Sequence, residues 1–154
     1  MKRNKPPSSP SQPVETKSKK IKPSSAKGKG RKLQQWICQK ISDLTGYEWG
    51  RSGEDKPIES RPMGQSGCDV RMESQVQSLF PFAVECKWQE TWAIPAWIKQ
   101  AKQNCPEGQD WLLFIRKNNM KPYSIAIMDA ERFFSLLQEN KNLRDKLKKE
   151  MKKR

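Results

Sequence analysis

The chain has 154 residues and no histidine. That absence excludes imidazole-based acid–base catalysis, Ser-His and Cys-His nucleophile pairs, and the HExxH metalloproteases. The four cysteines, Cys38, Cys68, Cys86 and Cys105, show no CxxC spacing. Without a histidine to complete a ligand set, a structural zinc site is not expected, and they read as reduced, mostly buried small apolar residues. No apolar run is long enough to span a bilayer, and the N-terminus lacks the apolar core of a signal peptide, so no membrane role and an intracellular, cytoplasmic setting are expected. An enzyme acting on phosphate esters would have carboxylates, Lys, Arg and metal ions as its tools, which suffice for metal-assisted hydrolysis.

Acidic residues are also few: 17 Asp and Glu stand against 31 Lys and Arg, for a net charge of +14. The excess sits at the two ends. Residues 1–32 hold eleven Lys and Arg against one Glu, and residues 141–154 hold eight against two acids, which leaves the body, 33–140, at −2. Such ends suit a polyanion, because each phosphate neutralised by Lys or Arg releases condensed counterions. An acidic membrane surface or solubility alone would also fit, but for an intracellular chain nucleic acid is the favoured partner.

The length suits one domain. The opening 32 residues are Pro, Ser and Lys with almost no large apolar side chain, so they are expected to be a disordered tail. From Leu33 to Leu44, Leu33, Trp36, Ile37, Ile41 and Leu44 recur at helical spacing, and Gly46 is the stop. A Gly- and Pro-rich stretch follows, in which "YEW" and "KPIES" are short extended pieces. "CDVRM" and "FAVECKW" read as the two strands of a hairpin turning around residues 73–78. "IPAWIKQAKQN" is a helix with Pro95 in its first turn. "WLLFIRK" and "YSIAIM" are strands, and "DAERFFSLLQEN" is a helix with Asp129 as N-cap and Phe133, Leu136 and Leu137 on one face. Residues 141–154 either extend that helix or form a basic tail. This order predicts an α/β sandwich in which helices flank a small central mixed sheet.

The strand "FAVECKW" carries the chemistry. Side chains two apart share a face, so Glu85 and Lys87 point one way while Val84 and Cys86 point the other. Asp69, on the neighbouring strand, can approach Glu85 if the two share a face. Paired carboxylates repel unless one takes a proton or a cation joins them. Mg²⁺ accepts one or two carboxylates and leaves its other positions to water and phosphate oxygens.

"GCDV" followed by "VECKW" resembles the D…ExK signature of the PD-(D/E)XK nuclease superfamily. Together with "SRPMGQSGCDV", "WIKQAKQN" and "FIRKNNMKPY", residues 33–137 resemble phage-encoded nucleases related to archaeal-type Holliday junction resolvases. The resemblance implies a restriction-endonuclease-like fold and a Mg²⁺-dependent (or Mn²⁺-dependent) DNA endonuclease. It assigns the metal to Asp69, Glu85 and the backbone carbonyl of Cys86, with Lys87 as the catalytic lysine and Gln100 beside the site. Branched DNA is the substrate it implies, and a homodimer follows from the two-fold symmetry of a junction. The Pro of the signature is Cys68 here. The metal-binding Glu of many resolvases is missing from the first helix, which offers Gln34, Gln35 and Gln39, while Glu54, Asp55 and Glu59 in the next loop are alternatives. Arg61, in "SRPMGQSG" where Gly64 and Gly67 allow close backbone approach, and Lys117, at a strand end, are candidate phosphate contacts. Trp88, Trp92 and Trp97 either stack on an unpaired base or pack in a core or dimer interface. Two other readings remain: a catalytically inactive nucleic-acid-binding module of the same fold, and a nuclease of linear duplex DNA or RNA.

Overall fold

Leu33, Ile37 and Ile41 recur every fourth residue and, with Cys38, are buried along one face of α1 (Pro23–Thr45). The computed structural model describes residues 23–62 and 64–153, so most of the expected tail lies outside the described residues. Pro23–Lys32 of that tail are helical, and α1 starts ten residues ahead of Leu33. Once the apolar half of a helix is anchored, each further turn adds a hydrogen bond without a new nucleation cost. Gly46 ends the helix as expected: it adopts φ 79° and its amide donates to the Ser42 carbonyl at 2.8 Å.

The strands form two three-stranded sheets where one small central sheet was expected. In the first, β1 (Trp49–Arg51) runs parallel to β2 (Ile58–Ser60), which pairs antiparallel with β3 (Val70–Met72). In the second, β4 (Phe82–Trp88) runs parallel to β5 (Asp110–Arg116), and β5 pairs antiparallel with β6 (Ile125–Ile127). The expected hairpin between β3 and β4 is absent. A short helix, α2 (Ser74–Leu79), occupies the turn region, and its one buried side chain, Val76, ties it to the core. β3 and β4 thus belong to different sheets, which approach where the Asp69 amide donates to the Val84 carbonyl at 2.7 Å.

Helix α3 (Ile94–Asn104) supplies the crossover between parallel β4 and β5, with Pro95 in its first turn. Two apolar clusters result. Val84 and Cys86 of β4 join the α1 cluster, while Leu113 and Ile115 of β5 pack under Trp97 and Ala101 of α3. Helix α4 (Ala130–Met151) is capped by Asp129, whose carboxylate accepts from the Glu131 amide, and it continues well into the basic end. Of the three apolar residues on one face of this helix, Phe133 and Leu137 are exposed and Leu136 is half-buried. Trp97 is the buried tryptophan, whereas Trp36 and Trp111 are half-buried. No helix among the described residues is long and apolar enough to cross a membrane. The architecture is a helix-flanked α/β sandwich of the restriction-endonuclease-like type.

Candidate active site

β4 aims its charges by simple alternation. In the register with β5, Glu85 lies opposite Leu113 and Lys87 opposite Ile115, so both charged side chains share the α3 side with those core residues. Glu85 is 2% exposed, a rare position for a carboxylate without partners. It has two. Lys87 Nζ donates to Oε1 at 2.7 Å, and Asn104 Nδ2, at the end of α3, donates to Oε2 at 3.1 Å.

Asp69 reaches the same place from the other sheet. It immediately precedes β3, where its carbonyl accepts from the Arg61 amide at 2.9 Å and its Oδ2 accepts from the Cys86 amide at 2.7 Å. This side-chain bond pins Asp69 against the edge of β4, midway between the two residues that carry its partner charges. Burial and the Glu85 charge push the Asp69 carboxyl up to about 6, against the pull of the Cys86 amide, the Lys87 ammonium and the Gln34 amide. Burial drives the Cys38 thiol up to about 12 and the Cys86 thiol upward as well, so neither is a thiolate nucleophile at neutral pH. All four cysteines are free.

Asp69, Glu85, Cys86, Lys87 and Gln100 line one cleft of about 430 Å³. The structure therefore brings five of the expected site residues together. Gln34 of α1 lines the cleft too, in the region where many resolvases carry a glutamate. Asn104, which lines the same cleft, is the candidate that sequence reasoning missed. It follows Gln100 by four positions on α3, the spacing that places two side chains on one helix face, and that was the signal available.

The other candidates lie elsewhere. Arg61 lines a neighbouring cavity, with its Nη1 donating to the Ser66 carbonyl at 2.7 Å. Lys117 is exposed beyond the end of β5, its ammonium 5.4 Å from the Trp92 ring centroid. Trp88 donates through Nε1 to Asn118 at 3.2 Å. None of the three alternative acids replaces the missing glutamate: Glu54 accepts from the Arg51 amide, Asp55 is exposed, and Glu59, in strand β2 rather than a loop, pairs with Arg71 at 3.0 Å. Among the described residues, no group of three or more Cys, Asp and Glu is placed to hold a metal ion.

The two carboxylates in the cleft nonetheless bring hard-oxygen donors of the kind that suits Mg²⁺, which keeps several waters. Burial first, and the Glu85 charge second, raise the Asp69 pKa, and a divalent ion between the carboxylates would offset both. The residues present fit the ion, provided that Lys87 yields its place on Glu85.

A helix-flanked sandwich with Asp, Glu and Lys converging in one cleft defines the class of PD-(D/E)XK-like proteins. The family model described as "Phage putative PDDEXK endonuclease" matches residues 25–153, and the chain belongs to that family. No curated protein and no solved structure matches it.

Proposed function

We propose that the protein is a Mg²⁺-dependent endodeoxyribonuclease, able to use Mn²⁺ in its place, that hydrolyses phosphodiesters of branched DNA as a homodimer. The convergence of Asp69, Glu85 and Lys87 in one cleft, in a member of this family, carries the reading. Asp69, Glu85 and the Cys86 carbonyl would hold the ion, which when bound supplies Lewis-acid polarisation of the phosphate and of water. Asn104 fixes the Glu85 carboxylate. Lys87, released from Glu85, orients the attacking water or neutralises the charge that develops on the phosphate. The water oxygen bonds to phosphorus and releases one proton to solvent, while the P–O bond to the leaving alkoxide breaks and that alkoxide takes up a proton from solvent water. Gln100 and Gln34 supply neutral amides to hold water or a phosphate oxygen. Branched DNA and the dimer rest on the resemblance of residues 33–137 to junction resolvases.

A second reading, an inactive nucleic-acid-binding module, is favoured by two observations: among the described residues no third acid joins the pair, and the Lys87 ammonium caps Glu85. Incubating the purified chain with labelled four-way junction, linear duplex and RNA, with and without Mg²⁺, separates the readings. Paired, symmetric nicks in the junction alone are the expected result. Equal cutting of duplex or RNA would remove the branched-DNA assignment, and binding without cutting under any divalent ion would favour the module.

A further inference from the structure

Beside the cleft lies a second, smaller cavity of about 190 Å³ whose lining includes Arg31, Arg51 and Arg61. Three separate segments deliver them: α1, β1 and the loop after β2. No acid lines the cavity, and among the described residues none of the three guanidinium groups is ion-paired with a carboxylate. Three like charges gathered at one hollow repel one another unless an anion sits between them. The remaining polar lining, Gln35, Ser52 and Ser60, adds neutral groups that can donate to an oxyanion.

The position of Arg61 is built rather than incidental. Its Nη1 is held by the Ser66 carbonyl, and a Cβ added at Gly67 would meet that nitrogen at 2.6 Å. Gly67 stands at φ 97°, a backbone conformation that side-chain-bearing residues rarely adopt, where the guanidinium passes. The cavity is also physically coupled to the cleft. Ser60 Oγ donates to Gln34 Oε1 at 3.3 Å, and the Arg61 amide binds the Asp69 carbonyl. Gln34 faces the cleft while Gln35 faces the arginines.

We propose that Arg31, Arg51 and Arg61 form a second phosphate-binding site, which takes a backbone phosphodiester neighbouring the one in the cleft. The guanidinium fork matches two phosphate oxygens at once, which an ammonium cannot do. The naming of DNA as the ligand rests on the proposed nuclease function, whereas the oxyanion chemistry of the site does not.

The test measures binding of the full chain to labelled junction in EDTA, so that cleavage plays no part, for wild type, Arg31→Ala/Arg51→Ala and Arg31→Lys/Arg51→Lys. The Ala pair is expected to lose at least about tenfold in affinity, as loss of charge-assisted hydrogen bonds requires, with a shallower salt dependence. The Lys pair, which keeps the charge, is expected to lose a similar amount. Lys variants that bind like wild type would overturn the site in favour of general electrostatics. Unchanged binding by the Ala pair would overturn it outright. Inorganic phosphate provides a second, DNA-independent readout: it is expected to raise the melting temperature of wild type more than that of either variant, and equal shifts would contradict the proposal. Junctions with and without 5′-phosphates separate the sources, since a loss confined to the phosphorylated ends would replace the backbone ligand with a terminal monoester. A chain that fails to cut DNA but still shows these differences keeps the site and loses the nuclease reading. A chain that cuts without them does the reverse.

Discussion

At the scale of single residues, the site is governed by how Glu85 and Asp69 are held. Glu85 has both oxygens engaged, by Lys87 and Asn104, while Asp69 has one held by the Cys86 amide. Replacing Asn104 by Ala frees Glu85 Oε2 to rotate, and a ligand partner of this type is worth about 10- to 100-fold in metal affinity or activity. Calorimetric titration with Mg²⁺ should show that loss, and full retention of affinity would remove Asn104 from the site. Asp69 sets the pH behaviour. Its folded value of about 6 lies above the ordinary 3.8, so the folded chain keeps a proton that the unfolded chain has already released. The contribution of this group to stability therefore declines as pH rises from about 4 to about 6, by about 3 kcal/mol in total, and Asp69→Asn should flatten that decline in urea titrations. On the proposed function Mg²⁺ competes with the proton for the same carboxylate, so its affinity should climb with pH through about 6; a pH-independent affinity would contradict the assignment.

At the scale of elements, legibility followed the strength of the local pattern. β4 and α3 match the segments "FAVECKW" and "IPAWIKQAKQN", because a continuous apolar run and a first-turn proline mark them. Helix α2 was hidden: six residues with one buried side chain, Val76, have no detectable period, so the segment read as a turn and its flanking strands as a hairpin. The early start of α1 was hidden by composition, since Pro, Ser, Gly and Lys look like tail whether or not a packed helix follows. The alternation along β4 was enough to place Glu85 and Lys87 on one face, but the partnership of Asn104 required knowing that α3 returns over that face. The loop 61–69 depends on glycine at one point. Gly67→Ala forces a side chain onto φ 97° and against Arg61, which should cost about 1–2 kcal/mol in a urea melt and displace the guanidinium from the Ser66 carbonyl. A variant as stable as wild type would show that the loop relaxes freely.

At the scale of the whole molecule, the charge and the cleft divide the work. A body of net charge −2 carries the cleft carboxylates, and the basic ends carry the excess positive charge, to which the proposed function gives the attraction for DNA. Residues 1–22 hold seven Lys and Arg against one Glu, and α1 begins after them, at Pro23. The truncated chain should bind DNA more weakly with a shallower dependence on salt, and an unaltered slope would assign the phosphate contacts to the body alone. The cleft joins two sheets and two helices, so the site exists only when the sandwich is assembled.

That assembly makes one comparison decisive: junction cleavage in Mg²⁺ by wild type and by Asp69→Ala, with binding measured on the same samples. Cleavage should fall by more than about a hundredfold, beyond the loss of a supporting hydrogen bond, while binding persists. Undiminished cutting by Asp69→Ala would mean that the chemistry lies outside this cleft.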